Sequence, residues 1–183
     1  MKIITPRPTD EKFSHQAARL MVDAFRVHWS NSWTTLEDGM EEISEMFEDE
    51  RIFRAAVDDD GNVLGIIGGI PQYDGHVWEL HPLAVQPSMQ GQGIGNELVK
   101  DFEEQVKLKG GITIMLGTDD EDDMTSLSTV DLYEDTWGKI QNIRNIKGHP
   151  YEFYQKMGFV ITGVVPDANG MGKPDILMSK RVG

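Results

Sequence analysis

The amino-acid sequence predicts a mixed α/β fold in which helices flank a central, mostly antiparallel sheet. Two β-rich runs lie on either side of a turn within residues 51–70, and a third follows within residues 76–85, which is typical of an antiparallel meander. Apolar residues recur at helical spacing before and after this meander, so helices are expected on both sides of it along the chain. The length of 183 residues suits one domain, and we expect residues 1–183 to form it.

The region before the meander predicts one short strand and two helices. The strand starts at Ile3, and Thr9 and Asp10 are helix-capping residue types that precede a first helix reaching to about Val27. The segment "LEDGMEEISEMFED" predicts a second amphipathic helix. One face of that helix carries Leu36, Met40, Ile43 and Phe47.

The meander itself is predicted from turn and strand chemistry. Asp60 and Gly61 form the dipeptide that most strongly favours a two-stranded hairpin. The next strand is "HVWELHPLAV", in which apolar residues alternate. Pro82 has no backbone N–H to donate, so we expect a β-bulge that splays this strand.

The region after the meander alternates between helices and strands. A helix is expected from Ile94 to the glycines at 110 and 111, followed by the buried strand "ITIMLGT". An insertion carrying a helix near Trp137 to Ile146 comes next. A short helix in "HPYEFYQKMGF" and the strands "FVITGVV" and "DILMSKR" complete the chain.

Composition narrows the classes of partner. The net charge of −14 argues against nucleic acid, whose phosphates need a basic surface, and suits a cationic partner or simply solubility. No apolar run approaches the roughly 18 residues that cross a membrane. The chain has no cysteine, and its first residues lack the features of a signal peptide, so we expect a cytoplasmic protein without thiol chemistry or thiolate metal sites.

A glycine-rich turn precedes the helix that begins at Ile94. Gly91, Gly93 and Gly95 alternate there, where the first amides of a helix lack intrahelical partners and the helix dipole favours an anion. The turn follows a meander rather than a first parallel strand, which argues against a dinucleotide fold, and no Gly-Lys-Ser/Thr follows, which argues against a P-loop. It is either a phosphate-binding turn or an ordinary flexible one.

The segment Gln90-Gly91-Gln92-Gly93-Ile94-Gly95 fits the signature Gln/Arg-x-x-Gly-x-Gly/Ala and resembles the GNAT superfamily of acyl-CoA N-acyltransferases. The resemblance implies a sheet splayed near its fourth strand and acetyl-CoA bound, without a metal, by this loop and the helix that contains Asn96. The segments "IPQYDGHVWELHPLAV", "GGITIMLGTDD", "HPYEFYQKMGF" and "NGMGKPDILM" look like the aminoglycoside 6'-N-acetyltransferases of the chromosomal enterococcal type. That family also implies a homodimer.

The predicted strand just before the loop carries the candidate catalytic groups. Glu79 and His81 are two residues apart, so their side chains share a face of the strand. The resemblance implies that Glu79 is the general base and His81 its neighbour and helper; a solvated carboxylate and a structural histidine are the alternatives. In the family, backbone N–H groups at the positions of Leu83 and Val85 polarise the thioester and bind the pantetheine arm. Tyr154 lies where the family carries a tyrosine that protonates the departing thiolate, although Tyr151 is only three residues away.

Two further features are candidates for binding the acceptor. The carboxylates from Asp119 to Asp123, with Asp119 and Asp120 first, follow a predicted buried strand and suit a substrate with several ammonium groups, but a surface loop explains them equally well. Trp29 lies between the first two helices and either lines the acceptor cleft or packs in the core.

The sequence and its resemblance together predict direct acetyl transfer from acetyl-CoA to a cationic small-molecule amine, foremost the 6'-amino group of an aminoglycoside. A polyamine or a basic protein is an alternative acceptor for the same chemistry. A noncatalytic acetyl-CoA-binding regulator is the alternative from another class.

Overall fold

The computed structural model describes residues 1–29 and 32–183. The chain divides into two compact units, one of Met1–Ile114 with Val182–Gly183 and one of Met115–Arg181. That residues 1–183 act as a single domain stays a prediction. Among the described residues, each helix is too short or too polar to span a membrane.

In its described part, the first unit contains three α-helices and an antiparallel run of four strands in the order β1-β2-β3-β4. Along the chain its elements are β1 (Lys2–Ile4), α1 (Glu11–Phe25), α2 (Leu36–Met46), β2 (Ile52–Val57), β3 (Val63–Gln72), β4 (Val77–Val85) and α3 (Ile94–Leu108). The mixed α/β class and the meander predicted from the sequence are therefore confirmed.

Local capping determines where the first two helices start. The Asp10 side chain accepts a hydrogen bond of 3.0 Å from the Phe13 amide at the start of α1. At the start of α2, Thr35 and Asp38 form a reciprocal capping box with each other's amides, at 3.1 and 2.8 Å. The predicted starts are correct, and α1 ends at Phe25 rather than at Val27.

The hairpin between β2 and β3 turns at the predicted dipeptide. The Asp58 carboxylate accepts hydrogen bonds from the amides of Asp60 and Asn62 at 3.0 and 2.8 Å. Gly61 has φ of 80°, in the left-handed region that glycine tolerates without strain.

The predicted bulge in β4 is present at Pro82. Ile67 of β3 faces Leu83, and Gly69 faces Leu80, so the single residue Gly68 stands opposite both His81 and Pro82. A Cβ on Gly68 would overlap the His81 carbonyl oxygen. The bulge therefore depends on the absence of a side chain at position 68.

Two apolar layers cover the strands of this unit. Buried side chains of α1 and α2, among them Met21 and Ile43, form one cluster with Phe53 and Ile66 of the sheet. The predicted apolar face of α3 is fully buried and consists of Leu98, Phe102 and Val106. Each such side chain contributes roughly 1.5–3 kcal/mol on burial.

The second unit consists of β5 (Thr113–Asp119, whose first two residues belong to the first unit), α4 (Thr136–Gln141), α5 (Tyr151–Lys156), β6 (Val160–Val165) and β7 (Asp175–Arg181). The strand order is β5-β7-β6, and β6 pairs antiparallel with β7. The helix predicted near Trp137 to Ile146 is present, but the prediction of where it ends was wrong. Helix α4 stops at Gln141, and Asn145 forms a β-bridge with Thr125.

Candidate active site

The glycine-rich turn connects β4 to α3, and the space beside two of its glycines is open. Gly91 and Gly93 have φ of 76° and 87°, and a Cβ added at either position would meet nothing within 4 Å. Gly93 is the N-cap of α3, and no side chain caps this helix. The first amides of α3, which include those of Gly95 and Asn96, have no intrahelical partner. This geometry suits an anion such as a phosphate group.

Short contacts hold the ends of this turn. The Gln90 side chain donates a hydrogen bond of 3.3 Å to the carbonyl oxygen of Val85, the last residue of β4. At the other end Ile94 is buried, whereas Gln92 is exposed. The backbone around the glycines is therefore anchored on both sides.

Glu79 is half-buried on β4, and its position is fixed by a neighbouring strand. The Gln72 side chain on β3 donates a hydrogen bond of 3.1 Å to Glu79 Oε2. Leu83 and Val85, further along β4, face Ile67 and Gly65 of β3, and their side chains are half-buried. Their role as thioester-binding amides stays a prediction.

His81 lies beside a carboxylate that the sequence analysis did not identify. Its Nε2 is 3.7 Å from Glu42 Oε1 on α2, and the Glu42 side chain is only 11% exposed. Interaction with Glu42, opposed by burial and assisted by the charge of Glu79, raises the pKa of His81. Burial alone would raise the pKa of Glu42, but His81, Trp33 and Arg51 outweigh it, so that pKa is lowered. Both groups are thereby favoured in their charged forms.

Trp33 completes this arrangement from the loop before α2. Its Nε1 donates a hydrogen bond of 3.1 Å to Glu42 Oε2, and its ring centroid lies 5.9 Å from that of His81. Trp33 has φ of 46°, which is rare for a bulky residue and is found chiefly where surrounding contacts impose it. The ring of Phe25, at a centroid distance of 4.7 Å, is one such contact.

Trp29 packs against other aromatic rings, as expected from the alternative in which it is a core residue. Its ring contacts those of Phe25 and His28, with centroid distances of 5.6 and 5.7 Å. Residues 30 and 31 of the same loop lie outside the described residues. A role for Trp29 in substrate binding stays a prediction.

In the second unit, Tyr154 is buried on α5. Its ring contacts those of Phe153 and Phe159, with centroid distances of 5.1 and 5.7 Å. Burial raises the pKa of Tyr154 far above its usual value, so the phenol stays protonated at neutral pH. Tyr151 is also buried, and burial together with Glu152 raises its pKa. Either phenol can donate a proton, so burial alone does not separate the two.

The two acidic residues predicted to contact substrate have different environments. Asp120 is fully buried, and its carboxylate accepts hydrogen bonds from the amides of Met124 and Thr125, at 2.6 and 2.8 Å, and from the Ser128 hydroxyl. The oxygens of Asp120 thus organise this loop, and a contact between Asp120 and the substrate stays a prediction. Asp119 is half-buried and accepts a hydrogen bond from the Asn169 side chain, so it remains a candidate contact.

His149 is a second residue that the sequence analysis missed. It is buried, and its Nε2 lies 3.0 Å from the Asp119 carbonyl oxygen, while its Nδ1 accepts a hydrogen bond of 3.2 Å from the Tyr151 amide. Nε2 is therefore the protonated nitrogen and donates to the carbonyl. This ring links the end of β5 to the start of α5.

A bulged strand followed by an open glycine turn gives the first unit a geometry that suits a phosphate-bearing ligand. The sequence model of the acetyltransferase (GNAT) family matches residues 15–138, and the chain belongs to that family. A search of curated proteins found no match.

Three solved structures that resemble this chain over its whole length are aminoglycoside acetyltransferases. An aminoglycoside 6'-N-acetyltransferase complexed with coenzyme A is 45% identical, with a TM-score of 0.92, over 100% of this chain and 98% of that one. The aminoglycoside 6'-N-acetyltransferase from Enterococcus faecium is 44% identical, with a TM-score of 0.88 and the same coverage. An aminoglycoside 6'-acetyltransferase of type Ii is 38% identical, with a TM-score of 0.75. The resemblance predicted from the sequence is confirmed.

Proposed function

We propose that this protein transfers the acetyl group of acetyl-CoA to the 6'-amino group of aminoglycosides by direct attack in a ternary complex. The observation that carries the proposal is the 45% identity, over the whole of this chain, to an aminoglycoside 6'-N-acetyltransferase that binds coenzyme A. The acidic net charge of −14 supports an acceptor that carries several ammonium groups.

Acetyl-CoA supplies an activated acyl group and a thiolate leaving group. The open turn at Gly91 and Gly93, with the first amides of α3, suits its pyrophosphate, because a side chain at either glycine would occupy space next to those amides. Gln90, Gln92, Ile94, Gly95 and Asn96 are the other residues that we assign to this site. The Leu83 and Val85 amides are assigned to the thioester oxygen and the pantetheine arm.

The amine must lose a proton before it attacks. A primary ammonium has a pKa of about 10.4, so neutralising it at pH 7 costs roughly 1.4 kcal/mol for each pKa unit. We assign Glu79 as the acceptor of that proton, since Gln72 binds one carboxylate oxygen and thereby orients the other. Glu79 passes this proton to solvent, the neutral amine then forms the N–C bond as the C–S bond breaks, and the second proton that the nitrogen loses balances the one that the thiolate gains.

The leaving thiolate needs a proton in turn. Tyr154 is assigned as its donor, because it lies at the position where the family carries a thiolate-protonating tyrosine and its phenol is protonated at neutral pH. Asp119 and Trp29 are assigned to the acceptor. A homodimer and a cytoplasmic location remain proposals that rest on the family resemblance and the sequence.

Release of free CoA thiol tests the proposal directly. We expect turnover with kanamycin and neomycin and little with spermidine or a histone tail. Paromomycin is the matched control, because it carries a 6'-hydroxyl where neomycin carries a 6'-amino group. Equal turnover of neomycin and paromomycin would rule out the 6'-amine as acceptor. Tight acetyl-CoA binding without thiol release from any amine would identify a regulator instead.

A further inference from the structure

One carboxylate oxygen of Glu42 is buried without a hydrogen-bond donor among the described residues. Its Oε1 is inaccessible to solvent and has no hydrogen-bond partner among the described residues. Burying a carboxylate oxygen in this way is costly unless a nearby charge compensates for it. The nearest cationic group that the structure shows for it is His81 Nε2, at 3.7 Å.

The other carboxylate oxygen of Glu42 is already in use. Trp33 Nε1 holds Oε2 at 3.1 Å, so the carboxyl group is oriented with Oε1 towards His81. Hydrogen bonds of active-site groups are often long in ligand-free proteins and shorten when substrate binds.

The charged groups around this pair come from three elements. Glu42 lies on α2, while Glu79 and His81 lie on β4. Arg51 follows α2 and pairs with Glu45 and Glu48 at 3.5 and 2.9 Å, and its charge opposes that of a cationic His81. Two carboxylates thus act on His81 against one guanidinium that already has acidic partners.

We propose that Glu42 is a positioning residue that holds His81 as a fixed imidazolium cation next to Glu79 on β4. This inference rests on the proposed function and assigns the roles of Glu79 and His81 within it. An imidazolium cannot accept a proton, so Glu79 is the base and His81 is not. A fixed cation close to the incoming ammonium also favours the neutral amine, because like charges in a partly buried site repel.

Histidine titration by NMR tests the pairing without any turnover. The variant Glu42→Gln keeps an acceptor for Trp33 and removes the charge, and His81→Gln identifies the His81 resonance among the five histidines. We expect the pKa of His81 to fall in Glu42→Gln and to stay unchanged in Glu41→Gln, the matched control on the exposed side of α2. An unchanged His81 pKa in Glu42→Gln overturns the proposal, whatever amine the enzyme uses.

Kinetics then tests whether the pairing matters for the reaction. We expect kcat in Glu42→Gln to be about tenfold lower near pH 7.5 and to approach wild type below about pH 6, where an unpaired histidine is also protonated. In the His81→Gln background, Glu42→Gln should cause no further loss. An equal loss in both backgrounds, or a loss that is independent of pH, overturns the proposal.

A second variant covers the case in which Glu42→Gln does not fold. Trp33→Phe removes the donor to Oε2, keeps an aromatic ring beside His81 and leaves the Glu42 charge, so we expect a smaller fall in the His81 pKa. No change in that pKa would contradict the role of Trp33 in orienting the carboxylate. These experiments can be run with any amine that the enzyme acetylates. They therefore test the role of Glu42 even if the acceptor is not an aminoglycoside.

Discussion

The indole of Trp33 donates a hydrogen bond of 3.1 Å to a Glu42 oxygen, and this links the loop before α2 to the helix itself. The same carboxylate lies 3.7 Å from His81 on β4. One largely buried carboxylate therefore connects a helix, a loop and the strand that carries the candidate base. The stability of this part of the first unit should depend on the charge of both ionisable partners.

The contribution of the Glu42–His81 pair to stability is expected to vary with pH in a defined window. The pKa of His81 is raised, so its contribution is complete below about pH 6.5 and is lost as the pH rises through the raised value. The pKa of Glu42 is lowered, so its contribution is complete above about pH 4.5 and is lost as the pH falls through the lowered value. The difference in Tm between wild type and Glu42→Gln should therefore be largest between these limits. A difference that is constant from pH 4 to pH 9 would contradict the ion pair.

Replacing Glu79 should impair the enzyme most in acid. Glu79→Gln removes the base, so kcat/KM is expected to fall by about a hundredfold near pH 6, within the usual range for general base catalysis. The loss should shrink towards pH 9, where more of the amine is already neutral. Gln72→Ala keeps the base but removes its orienting hydrogen bond, which is worth about 1 kcal/mol, and should cost only about fivefold. A pH profile of Glu79→Gln parallel to that of wild type would remove Glu79 from the role of base.

Tyr154→Phe and Tyr151→Phe form a matched pair on α5. Both side chains are buried, and burial raises the pKa of both. If Tyr154 protonates the thiolate, Tyr154→Phe should lower kcat by about 10²-fold or more with little change in the Kd for acetyl-CoA. Tyr151→Phe should leave kcat within a few fold of wild type. Loss of acetyl-CoA affinity in Tyr154→Phe, without a separate loss in kcat, would indicate a packing role.

The glycine turn can be tested against a glycine of similar backbone geometry elsewhere. Gly93 and Gly61 have φ of 87° and 80°, and both have open space where a Cβ would lie. Alanine at either position should cost about 1–2 kcal/mol of stability through left-handed strain. Only Gly93→Ala should also raise the Kd for acetyl-CoA, by about tenfold, as measured by calorimetry. Equal acetyl-CoA binding by both variants would contradict the assignment of the turn.

Asp119 and Asp120 should behave differently although they are adjacent. Asp120→Asn replaces an acceptor oxygen by a donor that faces other donors, so it should lower the free energy of unfolding by about 1.5–3 kcal/mol. Asp119→Asn should leave stability nearly unchanged and raise the KM for the aminoglycoside. Denaturant unfolding and acceptor kinetics measure the two effects. A raised KM in Asp120→Asn at unchanged stability would instead favour a contact between Asp120 and the substrate.

Elements with a strong local signal could be predicted from the sequence. The Asp10 cap, the turn at Gly61 and the four-residue spacing from Leu98 to Val106 depend on neighbours along the chain, and the structure confirms each of them. The bulge at Pro82 was predictable for the same reason, since the missing amide is a property of that residue.

The environment of the candidate site could not be predicted in this way. Glu42 stands beside Glu41 in a run of acidic residues, and its pairing with His81 depends on contacts between elements that are remote in the sequence. His149 precedes a proline and a short helix, and its hydrogen bond to the Asp119 carbonyl spans 30 residues. The end of α4 was misplaced because the bridge between Thr125 and Asn145 outweighs a weak helical pattern.

Side chains along β4 alternate between the two faces of the sheet, and the extra residue opposite Gly68 interrupts this alternation. Residues on one side of the bulge keep their faces only because two residues there occupy the space of one. Pairing β3 with β4 without the bulge would move Glu79 from its place opposite Ile70 to a place opposite Pro71, and so turn it to the other face of the sheet. The face on which Glu79 lies thus depends on the number of residues between it and Leu83 and on how they pair with β3, as well as on the identity of the side chains.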